Sequence, residues 1–337
     1  MRKIPDNLLD FQRMFPNEEA CAAYLEEIRW PRGFVCPHCK SDRPPYRFKN
    51  RRTVLMCKAC RRSTRLTANT IMHRTKVPLQ VWFWGAYLVT TQTPGMSALQ
   101  FQRQVGIKRY ETAYQLLQKL RAGMIRPDRD TIGAEYAVEI DETWVGGKTK
   151  GEGRGVHHKA LVIAAVEVRA TQSGDPLSAG RSAHAKGKPL RGRIYAGRLR
   201  LRVLSAREGA QAMKFVRENV AKGSTIRTDG WSGYSRLQRA GYHHDAMVMD
   251  GDGALADEHL PMIHVVFSNL KTWLRGTHHG VSKKHLQGYL NEYVFRFNRR
   301  FYPMTSFASV LGIGTTNTAP TYKGIYHRTW KHPNPDP

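Results

Sequence analysis

Apolar residues recur along this chain with two periods, and the change from one to the other divides it. Residues 1–30 read as a short helical lead-in punctuated by Pro5 and Pro31. Pro78 opens a strongly apolar helix, Leu79–Thr91, whose Trp82, Trp84 and Tyr87 form a stripe suited to packing. Residues 97–105 predict one helix, Gly106 breaks it, and residues 108–124 predict a longer amphipathic one, a helix–turn–helix pattern. A linker containing Pro127 follows, and from Ala137 the period becomes two. Residues 137–145, 158–169 and 198–204 predict strands, the last two paired as a meander. A helix over 208–221 leads to a fourth strand, 225–229, a short helix near 235–240 and a fifth strand near 244–249. Helices near 265–275 and 283–300 close the pattern. Strand meander, helix, strand and helix in this order predict an α/β domain on a mixed sheet.

Charge changes the picture most. Lys and Arg number 54 against 27 Asp and Glu, a net charge of +27. Such an excess repels itself in a compact fold, and a nucleic acid is the usual polyanion that relieves it. The charge is spread along the chain, unlike that of a membrane-surface helix. No run of eighteen apolar residues occurs and the start lacks a signal-peptide core, so the expectation is a cytoplasmic, nucleoid-associated protein with no membrane contact. Residues 170–193, rich in Gly, Ser, Pro, Lys and Arg, read as a flexible basic loop.

Four of the five cysteines form two close pairs, Cys36-Pro-His-Cys39 and Cys57-Lys-Ala-Cys60, seventeen residues apart. Two such knuckles supply the four soft ligands of a tetrahedral structural zinc. His38 is a competing ligand within the first knuckle, but the four-sulfur solution is complete without it. Cys21 reads as buried packing. Arg32, Lys40, Arg43, Arg51, Arg52, Lys58, Arg61, Arg62 and Arg65 surround the knuckles, which suits contact with phosphates. In the helix–turn–helix, Gln100, Gln102, Arg103, Gln104, Lys108, Arg109 and Gln115 offer donors to base edges and phosphates, although two helices with a glycine turn also occur in ordinary bundles.

Two aspartates sit at strand ends. In residues 138–143 the period of two sends Val138 and Ile140 to the core and Glu139 and Asp141 to the opposite face. The strand over 225–229 ends on Asp229, and Gly230 lets the chain turn. Carboxylates so placed suit a hard divalent cation, and two on neighbouring strands suit the metal pair of phosphoryl transfer. Either aspartate taken alone is as well explained by starting a turn. Asp250, Asp252 and Asp257 lack the remaining ligands of a calcium loop and read as part of a turn. Glu292, Arg296 and Arg299 share one face of the last helix, and Lys271 and Arg275 lie one turn apart, either as ion-pair stripes or as DNA contacts.

Several stretches in order carry a resemblance. Cys36-Pro-His-Cys39, residues 66–71, Glu139-Ile-Asp-Glu-Thr-Trp-Val-Gly-Gly147, Arg227-Thr-Asp-Gly-Trp-Ser-Gly-Tyr234 and residues 267–300 are similar to those of bacterial insertion-sequence transposases related to the eukaryotic Merlin transposons. These join a zinc ribbon to an RNase H-like, DDE-type catalytic domain. The resemblance covers roughly residues 8–325. It implies an N-terminal helix and zinc ribbon over 1–66, a helical DNA-binding region over 67–130 and the catalytic domain over 131–325. It also implies cleavage of double-stranded DNA at transposon ends, transfer of the 3′-hydroxyl to target DNA, and action as a homodimer or higher oligomer. Asp141 and Asp229 become ligands for Mg²⁺ or Mn²⁺. Many relatives place a Glu seven residues before the Lys matched by Lys271, and here that position is His264. An imidazole as third ligand suits Mn²⁺ better than Mg²⁺; Asn269, Glu292 and Glu139 are the alternatives. Lys271, Arg275, Arg296 and Arg299 are the expected DNA contacts, with Glu292 orienting Arg296 and His278 and His279 nearby. Two rival readings are a zinc-ribbon DNA-binding protein with a degenerate catalytic domain and a nuclease that cuts without joining.

Overall fold

The computed structural model describes residues 3–126, 129–146, 159–170, 194–248, 255, 258–318 and 320–327. The loop expected beyond Ala170 and the turn at Asp250, Asp252 and Asp257 lie outside the described residues. The chain divides into two compact units, Met1–Arg126 with Tyr302–Asn334, and Pro127–Phe301.

In the first unit Asn7 and Asn17 each accept a backbone N–H through the side chain and so cap helices α1 (Leu8–Met14) and α2 (Glu18–Arg29). Strands β1 (Tyr46–Arg47), β2 (Val54–Met56) and β3 (Ser63–Arg65) form a small antiparallel sheet. Helix α3 (Leu79–Thr91) is apolar on nearly all sides and is the core of the unit. Trp82 is buried with its indole N–H donated to Thr75, and Trp84 and Tyr87 pack on Phe11, so the aromatic stripe is packing. Helices α4 (Ala98–Val105) and α5 (Tyr110–Ala122) flank Gly106, whose φ of +68° is the left-handed cap that a glycine accommodates.

The same unit receives a helix from the far end of the sequence, α9 (Pro303–Thr316), which packs on α2 and α3. Its Phe307 is fully buried, with its ring 5.5–6.2 Å from those of Phe11, Phe15, Tyr24, Phe83 and Tyr87. Asn317 donates to the carbonyls of Ala122 and Ile125 and ties the end of α9 to the end of α5. Apolar spacing announces such a helix but not its partner.

The second unit is built on a five-stranded sheet of β4 (Val138–Val145), β5 (Ala160–Ala170), β6 (Ile194–Leu204), β7 (Thr225–Thr228) and β8 (His243–Ala246), in the order β6-β5-β4-β7-β8. β5 runs antiparallel to both β4 and β6, and β7 runs parallel to β4 and β8. This is the mixed sheet of an RNase H-like domain. Helix α6 (Gly209–Asn219) makes the crossover that parallel β7 requires. Helices α7 (Pro261–His278) and α8 (Lys283–Phe297) cover the opposite face.

Period two decides which side chain goes where. Leu161, Ile163 and Ala165 face α6 with Val138 and Ile140, whereas Val162, Ala164 and Val166 face α7 and α8. Because both faces are covered, the first half of β4 is buried throughout, and Glu139 is fully buried beneath α7. The predicted helix near 235–240 is two short 3₁₀ turns, Ser232–Tyr234 and Gln238–Ala240. Among the described residues no helix is long and apolar enough to cross a membrane.

Phe307→Ala removes the ring shared by five aromatic neighbours and is expected to destabilise the first unit by about 3–5 kcal/mol. The shift of the urea unfolding midpoint measures it, and an unchanged midpoint would show that α9 is not part of that core.

Candidate metal centres and active site

The two cysteine knuckles repeat one backbone pattern. The N–H of Lys40 bonds the carbonyl of Cys36, and that of Arg61 bonds the carbonyl of Cys57. Both Lys40 and Arg61 take left-handed φ values, 62° and 60°, which turn the chain so that each pair of sulfurs points inward. All four Sγ atoms lie within 4.8 Å of one another, with Cys36 to Cys60 at 3.7 Å and Cys39 to Cys57 at 3.6 Å. A tetrahedron of thiolates about 2.3 Å from zinc has edges of about 3.8 Å, so the sulfurs already stand where a zinc ion would hold them. The nine Lys and Arg side chains singled out around the ribbon are all exposed, and Cys21 is buried, its thiol pushed up to about 12 by that burial.

The second centre lies at one end of the large sheet. Parallel pairing sets Val138 opposite Ile226 and Glu139 opposite Arg227, and the chain runs on to Asp141 within β4 and to Asp229 just past the end of β7, near enough for the charge of Asp229 to act on Asp141. Neighbouring strands are about 4.8 Å apart, so the two carboxylates end side by side. Asp229 turns back at Gly230, whose φ is +76°, and accepts the N–H of Trp231. Asp141 accepts the N–H of Glu142 at 2.7 Å. Burial pushes the Asp141 carboxyl up to about 7, and the negative charges of Glu142 and Asp229 push in the same direction.

Helix α7 brings the third group. Pro261 starts it, and Glu139 accepts the N–H of Ile263 at 2.8 Å, capping its first turn with a buried carboxylate. Burial raises the Glu139 carboxyl to about 7, opposed by those backbone hydrogen bonds. Ile263, Val266, Phe267, Leu270, Trp273 and Leu274 face the sheet. The stripe beside them carries His264, Lys271 and Arg275, and His264 Nε2 stands 3.8 Å from Asp141 Oδ2. Of the other three candidates for that place, Glu139 is occupied as the cap, and Asn269 is exposed on α7. Glu292 is buried on α8, with Arg296 at 3.7 Å.

Three residues not singled out from the sequence complete the centre. The Glu142 side chain is almost fully buried and accepts the phenolic O–H of Tyr234, which is itself fully enclosed. Arg207 lies 3.4 Å from Glu142 and 3.7 Å from Asp229, with its guanidinium over the ring of Trp231. Glu142 and Tyr234 sit inside the motifs around the two aspartates, which was the available signal; Arg207 precedes α6 with no local signature. Of the expected DNA contacts, Lys271 and Arg275 lie along α7 beyond His264. Arg296 packs over Trp273, and Arg299 lies over Phe295 and donates to its carbonyl.

Purified protein is expected to carry about one zinc per chain, and Cys57→Ser to lose it and unfold the ribbon while the Pro127–Phe301 unit stays folded. Metal analysis finding no zinc in protein prepared without chelator would remove this assignment.

Comparison with known proteins matches the ribbon and the sheet domain. Residues 133–298 match the family described as the ISXO2-like transposase domain, and residues 16–63 match the transposase zinc-ribbon domain. An uncharacterized protein in transposable element ISH50 of Halobacterium salinarum is 25% identical over 291 residues, covering 84% of this chain and 92% of its own. No solved structure matches the chain. With ribbon and sheet domain matched in order on one chain, and the relative lying in a transposable element, this protein belongs to the family of insertion-sequence transposases that join a zinc ribbon to an ISXO2-like transposase domain.

Proposed function

We propose that the protein cleaves double-stranded DNA at the ends of its element and joins the freed 3′-hydroxyl to target DNA. The observation that carries this reading is the convergence of Asp141, Asp229 and His264 at one end of a buried sheet. The donor set, two carboxylates from adjacent strands with an imidazole beside them, fits Mg²⁺ or Mn²⁺, the nitrogen favouring Mn²⁺. Bound there, a metal pair supplies Lewis-acid activation of the attacking oxygen and charge compensation at the leaving one.

The chain's own residues do the rest. Asp141 is held by the rigid central strand and by the N–H of Glu142, so little reorganisation is needed at the moment of reaction. Arg207 spans Glu142 and Asp229 and offsets their repulsion, and Tyr234 holds the Glu142 carboxylate in place. Lys271 contacts the phosphate next to the cut, and Arg275 tracks the backbone beyond it. Arg296 on α8 and Arg299 in the turn just beyond it support the same strand, with Glu292 orienting Arg296. The zinc ribbon and the helix–turn–helix hold the element end by phosphate contacts, and two or more copies act together on the paired ends. A nuclease that cuts without joining is the second reading, and a strand-transfer assay separates the two.

Asp141→Ala and Asp229→Ala are expected to lower cleavage of the element's terminal repeats by several orders of magnitude while leaving DNA affinity within a fewfold. His264→Ala should also lose cleavage. His264→Glu should keep part of it and shift the preferred ion from Mn²⁺ towards Mg²⁺. Full cleavage by His264→Ala would remove the imidazole from the site. DNA affinity should fall steeply with salt, by a factor of 10³ or more between about 50 and 200 mM for a footprint of about six phosphates. A curve that is nearly flat over that range would exclude an extensive phosphate contact.

A further inference from the structure

Past His264, the half-buried stripe of α7 that carries Lys271 runs into a pocket. At a rise of about 1.5 Å per residue, Lys271 and Arg275 lie about 10 and 16 Å along the helix from His264. There a pocket of about 240 Å³ opens between α7, the end of β4 and the start of α8. Its floor is apolar, with Leu274 and Leu286, and Lys159, Lys271 and Arg275 line it as cations. The indole of Trp144, three residues after Asp141 on the same strand, lines it too and is left 39% exposed.

This combination is chemically selective. An indole in water leaves a large apolar face unsatisfied, and among the described residues no ring packs on that of Trp144. Burial disfavours the Lys271 ammonium, and the neighbouring charges of Lys159 and Arg275 disfavour it further, with only Asp141 opposing. No carboxylate pairs with any of the three cations among the described residues. An anionic group bearing a flat ring answers both needs. Paired and stacked bases of a duplex present only their edges, so the ring must come from a base outside the stack.

We propose that this pocket holds one unpaired nucleotide of the DNA strand beside the cleavage site, its base on Trp144 and its phosphate among Lys159, Lys271 and Arg275. The proposal rests on the reading of the sheet end as the place where the strand is cut. A melted nucleotide captured there keeps the scissile phosphate beside Asp141 and stops the flank from re-pairing. Stacking on an aromatic ring is tolerant of base identity, so the pocket recognises the unpaired state more than the sequence.

The test compares a blunt duplex with the same duplex carrying a short single-stranded 3′ tail, using the full-length zinc-loaded protein and no added Mg²⁺ or Mn²⁺. Binding is followed by fluorescence anisotropy. The tail is expected to tighten binding by about tenfold, the scale of one base stacked on an aromatic side chain. Trp144→Ala should abolish that gain, Trp144→Phe should keep most of it, and Lys159→Gln should reduce it. All three variants should bind the blunt duplex within about twofold of the unmodified chain. A tail that adds nothing, or a gain that survives Trp144→Ala, overturns the proposal. So does an acidic peptide that competes for the pocket as well as the tail does. Cleavage is scored separately. A protein that prefers tails but never cuts would sink the active-site reading, and one that cuts without preferring tails would sink the pocket.

Discussion

The parallel pairing of β4 with β7 is the constraint on which the catalytic unit depends. It sets Asp141 and Asp229 side by side at the sheet end, and the strands that carry them are buried on both faces. Burial is the main reason why the Asp141 carboxyl is pushed up to about 7, and the charges of Glu142 and Asp229 push it the same way. The rest of the centre answers that repulsion. Arg207 spans Glu142 and Asp229, and Tyr234 gives its hydroxyl to Glu142.

Helix α7 turns this local arrangement into a directed surface. Its start is fixed by a carboxylate from the same strand that carries Asp141, since Glu139 accepts the N–H of Ile263. Its apolar stripe then locks it to the sheet, and the adjacent stripe presents His264, Lys271 and Arg275 at helical intervals. The spacing of these three side chains is thereby set by a rigid helix and not by loops.

The ribbon follows a separate logic. It is too small to bury much apolar surface, so four sulfurs around one ion replace a core. Its exposed surface is then free to carry Lys and Arg, as a phosphate-binding surface requires. The other part of its unit is held by aromatic packing, to which the late helix α9 contributes Phe307.

How much of this was legible follows from the range of the interactions. The four cysteines were readable because zinc geometry is encoded in spacings of two residues, and the strands and helices because periods of two and 3.6 are local. Asp141 and Asp229 stood at strand ends, but it was the resemblance of the motifs around them that singled them out as ligands. His264 needed the offset from Lys271. What no local pattern carries is which partner a side chain meets across the fold. Period two sent Glu139 to the face opposite Val138 and Ile140, and only the packing of α7 over β4 made it a buried cap. Tyr234 and Glu142 are 92 residues apart, and Arg207 reaches Asp229 from a turn with no signature. Helix α9 returns to the first unit for the same reason. The sequence by itself determined the elements and the four-cysteine cluster, because these depend on neighbours along the chain, whereas the approach of Asp141 and Asp229 depends on the pairing of β4 with β7. Only the tertiary structure decided the cap, the arginine bridge and the pocket at Trp144, because those contacts are made through space between segments whose spacing along the chain carries no information about them.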